Sequence, residues 1–284
     1  MGGLIFEAGT DRFVTSTEHM HLFFQSYGAS GLSRNETIRD APLVILHGLL
    51  GSSDNWHSRA RKLSEQFRVF SLDARNHGRS PHSEEFNYHL MVEDLREFIE
   101  QQKLGSVNLL GHSMGGKTAM LFAIQYPELV ERLIVVDIAP KPTSPSLDDI
   151  FEALFSLDLA KFKFRKEIDE ALAHKLKNAT TRQFVLKNLK RSEEGKFSWK
   201  VNLDVVYRNM HGINSAVPTD HPFTKPTLFI RGANSRYILD EDLGLIQEIF
   251  PNSKIATISN AGHWVHADNP AEFDKTVMKF LNEQ

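Results

Sequence analysis

"NLLGHSMGGKTAML" runs from Asn108 to Leu121. An apolar run with strand character ends in a Gly-x-Ser-x-Gly pentapeptide, Gly111 to Gly115, and a helix-like segment follows. A serine on such a turn is lifted clear of the sheet edge on a sharp, strained backbone. Its flanking residues must be small because the chain passes close to its neighbours there, and Gly111, Gly115 and Gly116 meet that need. The start of the following helix adds unpaired N–H groups beside the hydroxyl. Ser113 is therefore the candidate nucleophile. The same letters also satisfy the phosphate-loop pattern Gly-x-x-x-x-Gly-Lys-Thr from Gly111 to Thr118. That rival expects its loop after the first strand of the alternating sheet, whereas this stretch follows the third. No further nucleotide-site residues are recognisable.

Working outward, short runs rich in Val, Ile and Leu recur and end in turn residues. They are "PLVILHG" (42–48), "FRVFSLD" (67–73), "SVNLLG" (106–111), "RLIVVD" (132–137), "TLFIRG" (227–232) and "KIATIS" (254–259). Continuous apolar runs suit strands buried on both faces of a parallel sheet. Helix-like segments lie between them at 88–102, 118–126, 243–250 and 270–281, the second and third stopped by Pro127 and Pro251. The alternation predicts a doubly wound, mostly parallel α/β sheet. "HLFFQSYG" (21–28) predicts an antiparallel strand ahead of it, with a hairpin partner near Phe13. The alternation breaks after the proline-rich "APKPTSP" (139–145). Helical patterns at 147–157, 164–176 and 180–189 follow, then a glycine turn at Gly195 and the stretch 197–213. They predict a helical cap over residues 141–224, inserted between core segments 1–140 and 225–284.

A serine nucleophile needs a base, an acid and an oxyanion hole. "SNAGHWVHADNP" (259–270) follows the last strand and places His263 on a glycine-containing loop. That matches the chain order Ser, acid, His. His263 is expected to act as general base towards Ser113 and then as general acid towards the leaving group. Two N–H donors must face the developing negative charge. Met114 follows the nucleophile, and Leu49 lies in "LHGLLGSSDNW" (46–56), the exit of the first parallel strand. For the acid, a usual place is the loop "GANSRYILDED" from Gly232, but Ser235 stands where the aspartate would be. Asp137 ends the preceding strand, at the sheet edge where the site should lie. It is the favoured acid, with Asp240 and Asp242 as alternatives.

These residues carry a resemblance that spans nearly the whole chain. "LHGLLGSSDNW", "LDARNHGRSP", "GHSMGGK", "VVDIAP", "GANSRYI" and "AGHWVHADNP" look like the α/β-hydrolase superfamily. More narrowly they resemble the YbfF-type esterases and their abhydrolase-domain-11 relatives. "RNHGRS" with "GHWVHA" and the aspartate-free "GANS" loop marks the branch. In that branch the acid follows the family's sixth strand, which implies Asp137. The resemblance implies an α/β-hydrolase fold and a serine esterase acting on short- to medium-chain acyl esters through an acyl-enzyme. Thioesterase or acyltransferase chemistry and carbon–carbon bond hydrolysis use the same triad, and a binding module that retains the pocket is a reading of another class. Phe151, Phe155, Trp199 and Tyr207 are expected to line an apolar acyl pocket in the cap.

Composition narrows the rest. A chain of 284 residues, 41% hydrophobic and 24% charged, can bury a large core. A formal net charge of -3 gives no pull towards nucleic acid or an anionic membrane. The absence of cysteine excludes disulfides, thiolate catalysis and cysteine-ligated metals. The expected chemistry needs no metal or organic cofactor. The first residues lack the basic and apolar regions of a secretory signal, and no apolar run approaches the ~18 residues of a membrane helix. A cytoplasmic protein acting on a small-molecule ester is the expectation.

Overall fold

The structure is a computed structural model and describes residues 20–28, 41–143 and 147–283. After β1 (Phe24–Tyr27) come β2 (Leu43–Leu46), α1 (His57–Leu63), β3 (Val69–Leu72) and α2 (Tyr88–Gln101). Then follow β4 (Val107–His112), α3 (Met114–Gln125) and β5 (Val130–Val136). The next stretch holds α4 (Asp148–Phe155), α5 (Arg165–Ala173) and α6 (Ala179–Leu186). It continues through β6 (Leu189–Arg191), β7 (Phe197–Trp199), α7 (Leu203–Arg208) and α8 (Met210–Ile213). The chain ends with β8 (Thr227–Gly232), α9 (Leu243–Ile249), β9 (Ser253–Ile258), α10 (Val265–Asp268) and α11 (Pro270–Asn282).

The main sheet runs in the order β1-β3-β2-β4-β5-β8-β9. β1 is antiparallel to β3, with Phe24 opposite Leu72, and every other pairing is parallel. The strand expected around residues 21–28 therefore joins the sheet edge, while its expected partner near Phe13 lies outside the described residues. Successive residues of a strand face opposite sides, and here both sides are core. Val44 and Leu46 pack with the residues of α2 and α3, whereas Leu43 and Ile45 pack with those of α1 and α11. That is why the strands read as unbroken apolar runs. Each fully buried Val, Leu or Ile contributes roughly 1.5–3 kcal/mol of transfer free energy.

Parallel strands align their C-terminal ends. The register sets Leu46 of β2 beside Gly111, and His112 of β4 beside Val136 of β5. Leu49, Ser113 and Asp137, which lie just past those ends, are thereby gathered at one edge. The stretch between β5 and β8 contributes no strand to the main sheet. It reaches back to the loops at this edge, where Asn188 Nδ2 donates to Leu50 O and Asn202 N donates to Asn76 O. It is not all helical, because β6 and β7 pair as a short antiparallel ribbon. Gly195 makes its turn at φ +83°, a left-handed conformation that suits glycine. Strands this short are below the length at which alternation can be read.

Candidate active site

Ser113 alone separates β4 from α3, with φ +52° and ψ -116°. A non-glycine residue held there stores about 1–3 kcal/mol, which the surrounding structure must impose. The imposition is visible in the glycines. A Cβ on Gly111 would stand 2.1 Å from Gly115 O, and one on Gly115 would stand 2.5 Å from Leu46 O. This turn has no room for an anion-cradling loop between strand and helix. Lys117, the lysine of the phosphate-loop pattern, instead donates from Nζ to Ser215 O at 2.5 Å.

His263 Nδ1 lies 2.7 Å from Asp137 Oδ2, and its Nε2 lies 3.1 Å from Ser113 Oγ. The carboxylate accepts, so Nδ1 carries the proton and Nε2 is left to accept from the serine hydroxyl. Asp137 is fully buried and sits at φ +53°. Its Oδ1 accepts from Gly232 N at 3.0 Å, and its Oδ2 also accepts from Ser235 Oγ at 2.5 Å. A buried carboxylate needs such donors to replace the hydration it loses. His112 Nε2 donates to His263 O at 2.9 Å, which fixes the loop carrying the imidazole. Tyr237 stacks on the His263 ring at a centroid distance of 3.8 Å. Sequence reasoning did not single out Ser235 as a partner of Asp137, nor Tyr237 or His112. The only local signal was the serine standing where an aspartate was sought.

Leu49 and Met114 both border the cleft above Ser113. A Cβ on Gly48 would meet Ser113 Cβ at 3.2 Å, so the loop after β2 runs directly alongside Ser113. Met114 is the first residue of α3, whose N–H has no acceptor within the helix. Two buried histidines hold the opposing loop. His77 Nε2 accepts from Leu50 N at 3.2 Å while its Nδ1 donates to Arg75 O. His47 Nε2 accepts from Ala74 N at 3.0 Å while its Nδ1 donates to Gly48 O. Each ring is thus fixed as one neutral tautomer.

That neutrality has a measurable consequence. Burial lowers the pKa of His77 to about 3, and burial likewise lowers that of His266 to about 3. Unfolded, both titrate near 6.5, so the unfolded chain binds more protons in between. Their contribution is complete above pH ~6.5 and is lost as pH falls towards ~3, by roughly 1.4 kcal/mol per histidine per pH unit. The melting temperature should therefore drop steadily from about pH 7 to pH 5. His77→Gln should make that slope shallower; an equal slope would remove His77 from the account.

The other candidates are placed away from the imidazole. Asp240 pairs with Arg231 at 2.7 Å and is 83% exposed. Asp242 pairs with Lys141 at 2.6 Å. The cleft itself is bounded by Leu49, Tyr88, Lys117, Ile138, Ile213 and Tyr237 together with Ser113 and Met114. The four expected cap aromatics do not border it. Phe151, Phe155 and Tyr207 pack on one another, the last two at the surface, and Trp199 borders a groove with Arg79 and Lys200. The sequence marked them as large apolar residues but could not say which side of the insertion they face. Among the described residues no helix is long and apolar enough to cross a membrane.

A family profile described as the α/β hydrolase fold matches residues 41–270, most of the chain. The chain belongs to the α/β-hydrolase family. Within it, the chain is 41% identical over 261 residues to the sn-1-specific diacylglycerol lipase ABHD11 of Mus musculus, covering 88% of this chain and 85% of that one. It is 31% identical to esterase YbfF of Escherichia coli K12, covering 86% and 94%. Among solved structures, a marine microorganism esterase superposes with a TM-score of 0.86 at 46% identity, covering 92% and 99%. The branch implied by the "RNHGRS" and "GHWVHA" motifs is thus the one its relatives occupy. The protein is an enzyme of the hydrolase class.

Those motifs also have a structural meaning in this hydrolase. In "LDARNHGRSP", Asp73 accepts from Ser53 N at 2.6 Å and from Arg79 N at 2.8 Å. Gly78 sits at φ +61°, where a Cβ would stand 2.2 Å from the Asp73 carboxylate. The motif ties the loop after β3 to the loop after β2, the one that carries Leu49.

Proposed function

We propose that the protein is a serine carboxylesterase acting on short- to medium-chain acyl esters. The observation that carries this reading is the continuous hydrogen-bond chain from Ser113 through His263 to Asp137. Ser113 Oγ attacks the ester carbonyl as His263 Nε2 takes its proton. Asp137 holds the Nδ1–H tautomer and stabilises the imidazolium that forms. The Leu49 and Met114 N–H groups receive the oxyanion, an arrangement in which one donor is worth about 10²–10³ in rate. His263 then protonates the leaving alcohol, and a water activated by the same imidazole hydrolyses the acyl-Ser113 ester. Residues 141–224 serve as a cap that closes the cleft from above. The ester class is supported by the lipase and esterase relatives, and the cleft's mostly apolar border suits an acyl chain.

The test combines labelling with turnover. A fluorophosphonate probe should modify the chain once, on the peptide that contains Ser113. 4-Nitrophenyl acetate and butyrate should be turned over steadily, with a burst of nitrophenol if deacylation is slow. Labelling elsewhere, or no turnover across an acyl panel, would overturn the reading.

A further inference from the structure

Among the described residues, Lys117 is a buried cation with no carboxylate partner. It lies on α3 four residues beyond Ser113, is 1% exposed, and borders the same cleft. Its Nζ donates to Ser215 O at 2.5 Å and reaches Thr143 Oγ1 at 3.5 Å. Both acceptors are neutral, and an ammonium has three donors. Among the described residues the other fully buried cation is neutralised: Arg75 meets Asp94 at 2.6 Å. Among the described residues Lys117 has no such partner. Burial alone pulls its pKa down to about 8, and no acid opposes that fall. A buried charge without a counter-ion is strongly disfavoured, and an apolar side chain would fill this space at less cost.

The surroundings show where a counter-ion would come from. Lys117 reaches the place where the two connections of the insertion run side by side. Thr143 N donates to Asn214 O, and Val217 N donates to Pro140 O. The Asn214 side chain also borders the cleft, with its Oδ1 engaged by Thr143 Oγ1 at 3.2 Å. Its amide N–H groups are then the donors left to a ligand. A cation and an amide therefore border one end of the cleft that holds Ser113.

We infer that this end of the cleft is an anion subsite, in which Lys117 binds a carboxylate carried on the acyl part of the ester. The inference rests on the esterase reading and names its substrate class. The leaving group must face His263 Nε2 to receive a proton. The portion of the substrate that runs along α3 away from His263 is then the acyl chain. Ser113 and Lys117 border the same small cleft, so a carboxylate held by Lys117 belongs to a short acyl chain. Succinyl- and glutaryl-type monoesters are acyl esters of that kind.

The decisive pair is monomethyl glutarate and methyl pentanoate, which differ by one terminal carboxylate on acyl chains of equal length. In the wild-type enzyme kcat/KM should favour monomethyl glutarate, and Lys117→Met should lower that preference by about tenfold or more. That loss is what removing a charge-assisted hydrogen bond produces. A wild-type preference for methyl pentanoate would overturn the subsite. So would a preference unchanged in a folded Lys117→Met variant. Binding gives a second measurement that needs neither the variant nor turnover. Glutaramate should bind the wild-type protein more tightly than the neutral glutaramide in calorimetry, and equal or weaker binding would overturn the subsite. Hydrolysis of neither ester would overturn the esterase reading, while the calorimetric comparison still decides Lys117.

Discussion

Ser113→Ala should lower kcat for ester hydrolysis by about 10⁵–10⁶-fold, the scale on which serine hydrolases lose their nucleophile. The base and acid would stay in place with nothing to activate, since His263 Nε2 would lose its only donor from the turn. Ser113→Gly should lose as much activity but behave differently in stability. The backbone at φ +52° and ψ -116° is strained for serine and alanine alike and is open to glycine. Glycine also loosens the unfolded chain, which offsets part of the gain. The net expectation is a Ser113→Gly protein more stable than Ser113→Ala by about 1 kcal/mol, a rise of roughly 2–4 °C in melting temperature. A Ser113→Gly variant that melts below Ser113→Ala would show that the turn is not strained in the sense argued. A Ser113→Ala variant with near wild-type turnover would remove Ser113 from the chemistry altogether.

The sequence made Ser113 legible because the turn imposes its demands on adjacent letters. Gly111 and Gly115 must lack side chains for the strand and helix to meet, so the constraint is written within five positions. The parallel strands were legible because each is buried on both faces. Asp137 and His263 follow from those two facts, since parallel strands end at one edge. What was not legible is what depends on loop meeting loop. Ser235 donates to Asp137 across 98 positions of sequence, and His77 holds Leu50 across 27. No local pattern encodes either contact. The insertion shows the same limit from the other side. Phe151 is buried, as its helical spacing suggests, but it packs towards Phe155 and Tyr207 and not over Ser113. Periodicity tells inside from outside; it does not tell which interior a short helix faces.

Asp137→Asn should lower kcat by about 10⁴-fold, as when a buried triad carboxylate becomes an amide of the same shape. The amide can present an N–H to His263 Nδ1, which forces that nitrogen to accept. The ring proton then moves to Nε2, and Nε2 can no longer take the proton of Ser113. Asp240→Asn and Asp242→Asn should change kcat little, because those carboxylates pair with Arg231 and Lys141. The stronger expectation concerns position 235. Ser235 Oγ and His263 Nδ1 meet the same oxygen, Asp137 Oδ2, at 2.5 Å and 2.7 Å. A carboxylate at 235 therefore approaches the same edge of the imidazole. Ser235→Asp in the Asp137→Asn background should restore the Nδ1–H tautomer and recover about 10²-fold of the lost rate, part of the 10⁴-fold that the triad acid supplies. In the wild-type background the same change should harm the enzyme, because two carboxylates would then share one buried site and one of them would be driven to protonate. Ser235→Asp should thus be deleterious alone and restorative with Asp137→Asn. If the double variant is no more active than Asp137→Asn, position 235 does not reach the imidazole, and the acid of this site can be supplied from Asp137 alone.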